Sequence, residues 1–321
     1  MAVADTFYDL DRLISLRKVL REVGDALEPQ IRFLSPGATH RVRRLALLPG
    51  SFNPPTVAHL ALARSVLDSA LVDRVDFVLA TRTINKERLE GLSLDDRLLL
   101  LLGLIEGEPD LGLVVVNRGL YVDQAEAVRA AVPALDQLSF IVGFDKIVQI
   151  FDPRYYVDRE AALRRLFDLA SFFVAPRGDK DFGDLDALLR TAENRQFASG
   201  VTPLALAPGL RDVSSSRLRD RAAANAGLPD VSPLIAEFLE ETGAFAAPIR
   251  GPNGQAVDRY AWREHLVDLG ARGQLSITSP REFRDLIRSG TSTDPPRNRI
   301  HETPTAGPSA KSSAGSSGRS F

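Results

Sequence analysis

The sequence predicts an α/β fold: a doubly wound parallel sheet with helices on both faces, an N-terminal helix and a C-terminal extension. Three observations carry this. Short β-rich runs alternate with helical stretches from about residue 45 to residue 242, the signature of strand–helix–strand units. Most strand candidates are nearly continuous apolar runs, as strands buried on both faces are. The chain has 321 residues of which 44% are hydrophobic, enough for one large domain with appendages.

Residues 5–27 open the chain as an amphipathic helix, with Leu10, Leu13, Ile14, Val19, Leu20 and Val23 near helical spacing. Glu28-Pro29 and Ser35-Pro36-Gly37 mark loops. Strands are expected at 45–49, 75–80, 113–117, 138–142, 171–175 and 201–205. Helices are expected near 56–70, 93–107, 122–132, 157–168, 184–195, 215–226 and 231–242. Right-handed crossovers follow for parallel neighbours. The alternation stops after Phe245. Residues 246–256 read as a linker, followed by one short helix carrying Trp262, Leu266 and Leu269 and another carrying Phe283, Leu286 and Ile287. From about Thr291 the chain is Ser, Gly, Pro, Thr and Ala, too poor in apolar side chains to offset ordering entropy. The expected division is 1–43, 44–246, 247–290 and a disordered 291–321.

Composition excludes whole classes of function. The 40 Lys+Arg against 42 Asp+Glu leave a net charge of -2, which gives no electrostatic case for nucleic acid or an anionic membrane. The absence of cysteine excludes disulfides, thiolate metal sites and a cysteine nucleophile. The apolar run 98–105 is eight residues long, against the roughly 20 of a spanning helix. Asp5, Asp9 and Asp11 stand where a signal peptide needs a basic start, and a cytoplasmic location is the expectation.

Two segments carry chemistry. The first expected sheet strand runs into Gly50-Ser51-Phe52-Asn53-Pro54-Pro55-Thr56-Val57-Ala58-His59 and a helix. Open α/β sheets bind ligands at the carboxyl ends of their strands. Gly50 permits close backbone approach to a phosphate, and the helix start offers unpaired N–H groups and a positive dipole end. Thr56 and His59, three apart, share one face of the first turn, where they can bind a phosphate oxygen or simply cap the helix. The second segment, Val213-Ser214-Ser215-Ser216-Arg217-Leu218-Arg219, also opens a helix. Its hydroxyls can cap the helix or donate to an anion, and Arg219 adds a planar cationic fork.

The first string resembles the signature Gly-x-Phe-x-Pro-x-(His/Thr)-x-x-His of the nucleotidylyltransferase superfamily. Its Gly-Ser-Phe-Asn-Pro start and its Thr are similar to the nicotinate/nicotinamide mononucleotide adenylyltransferase branch, with Ala58 where many members have Gly. The second string resembles the superfamily's Ile-Ser-Ser-Thr-x-Ile-Arg, with Ser216 in place of Thr. Residues 231–245 are similar to the family's closing helix and tail. The resemblance covers roughly residues 44 to 246 and implies a Rossmann-like fold.

It also implies an activity. The acceptor's phosphate oxygen attacks the α-phosphorus of ATP, pyrophosphate leaves, and a dinucleotide forms. His59 and Thr56 are the implied catalytic residues. Gly50, Ser51, Phe52, His59, Asp145, Ser214, Ser215 and Arg219 are the implied ATP contacts. Lys86, Arg97, Tyr155 and Arg177 are the implied acceptor contacts, and Mg2+ accompanies ATP with no protein metal ligands. Asp145, in Phe140-Ile-Val-Gly143-Phe144-Asp145, can accept from a ribose or cap a helix. Arg177 can touch the nucleotide or end a strand, and Lys86 can bind phosphate or lie solvated. The family's pyridine-stacking Trp is replaced by Phe151, Tyr155 and Tyr156, and its Tyr-Thr-x-x-Thr by Tyr121-Val-Asp-Gln-Ala. The partners implied are ATP and a pyridine mononucleotide, in a family that often assembles into homo-oligomers. Two alternatives stay open: a different phosphate acceptor on the same fold, and a nucleotide-binding module without turnover.

Overall fold

A computed structural model describes residues 3–34, 42–81, 91–224, 226–228, 231–250 and 256–289. Lys86 and the segment 291–321 lie outside the described residues. In chain order the elements begin with α1 (Val3–Thr6), α2 (Leu10–Asp25), β1 (Ile31–Phe33), β2 (Arg44–Pro49), α3 (Val57–Asp68), β3 (Arg74–Ala80) and α4 (Leu94–Leu104). The middle of the chain forms β4 (Leu111–Val116), α5 (Tyr121–Ala131), β5 (Gln137–Gly143), α6 (Phe144–Phe151), α7 (Arg159–Leu169) and β6 (Ser171–Ala175). There follow α8 (Phe182–Leu189), β7 (Val201–Pro203), α9 (Ser215–Ala223), α10 (Pro233–Thr242), β8 (Ile249–Arg250), β9 (Ala256–Val257), α11 (Arg259–Ala271) and α12 (Pro280–Ser289).

The main sheet has the order β1-β4-β3-β2-β5-β6-β7. All its pairings are parallel except that of β1 with β4. The doubly wound parallel sheet is as the sequence predicts. The antiparallel β1 goes unannounced, because three residues, Ile-Arg-Phe, are too few to show a period. β7 stops at Pro203, short of the expected 205, although the Leu204 N–H still donates to the Val174 carbonyl at 2.8 Å. The expected first helix divides at Asp9, which caps α2 by accepting from Arg12 N–H at 2.9 Å.

Strand order reverses between β2 and β5. β3 and β4 lie to one side of β2, and β5, β6 and β7 to the other. The carboxyl ends of β2 and β5, at Gly50 and Gly143, therefore flank the crevice that such a switch point opens. Among the described residues, no helix is long and apolar enough to cross a membrane.

The terminal helices share the core on one face of the sheet. Phe7, Leu13, Leu98, Phe238, Leu266, Phe283 and Ile287 are all buried in one apolar cluster. Phe7 and Phe238 meet edge to face at 5.3 Å, and the Arg263 guanidinium lies 5.6 Å over the Phe238 ring. Truncating Phe238 to alanine removes the hub of this cluster. We expect a loss of about 3–5 kcal/mol, seen by circular dichroism as one lowered melting transition. A separate early transition carrying part of the helical signal would contradict a shared core.

Candidate functional site

A cavity of about 660 Å³ occupies the crevice between the ends of β2 and β5. Its wall includes Gly50, Ser51, Thr56 and His59 from the first segment and Ser214, Ser215, Ser216 and Arg219 from the second. Arg177, at the end of β6, completes the set of predicted residues that line it.

His59 is held with unusual definiteness. Thr56 is the N-cap of α3, and its backbone N–H donates to His59 Nδ1 at 3.0 Å. Thr56 Oγ1 lies 2.8 Å from the same nitrogen. A backbone N–H can only donate, so Nδ1 accepts, and the proton of the neutral ring belongs on Nε2. Phe52 packs edge-on against the imidazole at 5.1 Å. Desolvation, with Arg177 adding repulsion, pushes His59 down to about 4. The ring at neutral pH is an uncharged donor whose free N–H is Nε2.

The two segments are joined by their own polar groups. Ser215 Oγ donates to the carbonyl of Pro54 at 2.8 Å, and Arg219 donates to the carbonyl of Asn53 at 2.8 Å and to Ser216 Oγ at 3.2 Å. Ser214 caps α9, accepting from Arg217 N–H at 3.3 Å. The hydroxyl proton of Ser215 is thus committed to Pro54, leaving its backbone N–H, in the first turn of α9, as what it can offer an anion.

Several expected contacts are placed otherwise. Phe52 is fully buried and meets Phe77 at 5.6 Å, so its ring belongs to the core. Gly50 is required by that ring, because a Cβ there would fall 2.7 Å from Phe52 Cζ. Phe52 itself turns the chain with φ 47°, a left-handed conformation that costs about 1–2 kcal/mol for a side-chain-bearing residue. Arg97 is 1% exposed and is spent on carbonyls: on Leu92 at 2.9 and 2.6 Å and on Ser51 at 3.2 Å. Arg97 therefore braces the first segment and is not among the residues that line the cavity. Asp145 is outside the cavity wall and pairs with Arg177 at 3.1 Å. Its neighbour Lys146 lines the cavity instead. Tyr155, beyond the end of α6, is outside the wall too, whereas Tyr121 lines it.

Of the ionisable side chains that line the cavity, sequence reasoning missed three: Lys146, Arg211 and Tyr121, the last an aromatic wall. Arg211 Nε is buried with no hydrogen-bond partner. Tyr121 stands edge-on to Phe140 at 5.0 Å, and burial raises its phenol to about 12, so it stays a neutral donor. Charge was the available signal, since lysine is rare in this chain and Lys146 adjoins the Gly-x-Asp string. Among the described residues that line the cavity, the ionisable chains are His59, Tyr121, Lys146, Arg177, Arg211 and Arg219, with no carboxylate.

Comparison with known proteins is decisive for the family. A probable nicotinate-nucleotide adenylyltransferase of Gemmatimonas aurantiaca is 30% identical over 221 residues, 65% of this chain and 95% of that protein. The chain belongs to the nicotinate-nucleotide adenylyltransferase family. A relative of the same description from Trichlorobacter lovleyi is 29% identical over 63% of this chain and 99% of its own length. No family model matches the chain. Among solved structures, Plasmodium falciparum nicotinic acid mononucleotide adenylyltransferase complexed with NaAD is similar at 14% identity, covering 63% of this chain and 97% of that one, with a TM-score of 0.48.

The pinned imidazole makes a prediction for the ligand-free protein. Nitrogen NMR should show His59 as the Nε2–H tautomer titrating near 4, below the ordinary 6.5. Between those values the unfolded chain holds a proton that the folded chain refuses. The His59 contribution to stability is therefore complete above 6.5 and is lost as pH falls through 4. A His59 titration at or above 6.5, or an Nδ1–H tautomer, contradicts the geometry.

Proposed function

We propose that the chain joins the AMP part of ATP to nicotinate mononucleotide, forming deamido-NAD and pyrophosphate by direct in-line attack. The observation that carries this reading is the convergence of both signature segments on one cavity, with His59 Nε2 as its free donor. A phosphate oxygen of the mononucleotide forms the new bond to the α-phosphorus. The bond from that phosphorus to the β-bridging oxygen breaks, and pyrophosphate leaves with the electron pair. The nucleophile is already anionic and needs no general base, so catalysis is positioning and charge stabilisation.

In this reading His59 Nε2–H donates to a non-bridging oxygen of the α-phosphate as charge moves through it, and Thr56 holds the ring for that task. The first turn of α9, the Ser214 hydroxyl and the remaining donors of Arg219 hold the leaving pyrophosphate. Gly50 and Ser51 contribute backbone along the polyphosphate. Mg2+ enters with ATP as substrate. Among the described lining residues there is no carboxylate, which suits an ion carried by phosphate oxygens and water. Arg177 is oriented by Asp145 and faces the nucleotides, and Tyr121 gives the pyridine a flat apolar neighbour. We assign the catalytic unit to residues 44–246, as the motif-bearing part of the chain.

The cationic wall favours the acid over the amide. Lys146, Arg177, Arg211 and Arg219 face the cavity with no carboxylate among the described lining residues, a field that attracts an additional negative charge. Pyrophosphate release with Mg-ATP and each mononucleotide tests both points. Release with nicotinate mononucleotide at a kcat/KM at least about ten-fold above that with the amide, equivalent to roughly 1.4 kcal/mol, is expected. ATP binding without release with either acceptor would return the reading to a different acceptor or a module without turnover.

A further inference from the structure

The terminal helices are wired to the nucleotide-binding loop by polar contacts that their packing does not require. Leu266 and Val267 of α11, and Phe283 and Ile287 of α12, already bury their side chains in the shared core. Through that core runs a continuous path. Arg263 on α11 and Asp96 on α4, each 0% exposed, pair at 2.7 Å. Tyr260 Oη donates to the same carboxylate oxygen at 2.6 Å and accepts from Ser93 N–H at 2.8 Å. Arg263 also donates to the Phe7 carbonyl at 3.0 Å, which ties in the N-terminal segment.

Ser93 leads directly to the site. The N–H of its neighbour Leu92 donates to Asn53 Oδ1 at 2.9 Å. The Leu92 carbonyl accepts from Arg97, which reaches on to the Ser51 carbonyl at 3.2 Å. Gly91, at φ +119°, leaves room for this approach, since a Cβ there would stand 2.5 Å from Asn53 Oδ1. Asn53 is also the residue whose carbonyl Arg219 holds. The path thus starts in α11 and ends on both signature segments.

Such a path costs desolvation that apolar side chains would have avoided, and it leaves Asp96 Oδ1 and Arg263 Nε without partners. What a buried polar network can supply in exchange is a fixed register. We propose that Tyr260 and Arg263 are positioning residues for adenylyl transfer. Acting through Asp96, Ser93 and Leu92, they set where Asn53 and Ser51 stand beneath the polyphosphate. The inference rests on the reading of the cavity as the ATP site. The curated relatives described above match about 63–65% of this chain.

The test compares Tyr260→Phe with Ile287→Ala in the full chain. Ile287 is buried in the same extension but lies off the path, so its loss lowers stability alone. A purely structural defect reduces the folded fraction, which lowers apparent kcat and leaves KM unchanged. Tyr260→Phe should raise KM for ATP or lower kcat per folded molecule by roughly 2- to 30-fold, with Ile287→Ala matching wild type in both. Equal constants for Tyr260→Phe and wild type, or parallel losses in both variants, would overturn the proposal. Should Tyr260→Phe not fold, the wild-type chain decides. Coupling is reciprocal, so saturating ATP must slow amide hydrogen exchange at residues 259–263, and unchanged exchange there overturns the proposal. That arm needs only ATP binding, and so it separates failure of the wiring from failure of the acceptor assignment.

Discussion

Two backbone carbonyls, those of Asn53 and Pro54, hold this site together. Both residues are buried, Asn53 to 3% exposure, and a buried carbonyl left without a donor costs about 1–3 kcal/mol. The donors come from a helix more than 160 residues away: Ser215 Oγ to Pro54 and Arg219 to Asn53. Satisfying these carbonyls and assembling the site are one event. When α9 seats, its first turn faces the cavity from one side, and His59, in the first turn of α3, faces it from another. The same turn of α3 fixes the imidazole, because the Thr56 N–H claims Nδ1.

This arrangement explains why some of the site was legible in the sequence and some was not. The sheet was legible because its strands, such as the Leu-Gly-Leu-Val-Val-Val of β4, are buried on both faces and read as unbroken apolar runs. Thr56, His59 and the serine run were legible because caps and helix starts are local in sequence. The partners of Arg97 and Ser215 were not, because only the tertiary fold brings Ser51 and Pro54 to them. An arginine at a helix start looks the same whether it faces a phosphate or a carbonyl. The exchange of Asp145 for Lys146 on the cavity wall is a matter of one residue of helical phase. The exchange of Tyr155 for Tyr121 follows from the topology: Tyr121 opens the helix after β4, on the cavity side, whereas Tyr155 lies past the far end of α6. Gly50 was legible as a glycine that had to be one, but the atom it avoids is the ring of Phe52.

The terminal helices add a second layer of constraint. Arg17 of α2 pairs with Asp95 at 2.8 Å and with Glu264 of α11 at 3.1 Å. Burial beside Asp96 and Asp95 pushes Glu264 up to about 8, a sign of how crowded with negative charge the start of α4 is. The cationic Arg17 and Arg263 answer that crowding from the two chain ends. Ser93, the N-cap of α4, directly follows Leu92, so the placement of α4 and that of the loop around Asn53 are one problem in packing.

The central claim is that the carbonyl staple acts on chemistry by positioning the loop that carries His59. A double-mutant cycle on kcat/KM with Ser215→Ala, His59→Ala and the pair tests it most directly. If the staple works through His59, removing it costs about ten-fold or more in the native background and far less once the imidazole is gone. Strictly multiplicative losses would mean that the two residues act independently, and would contradict the account.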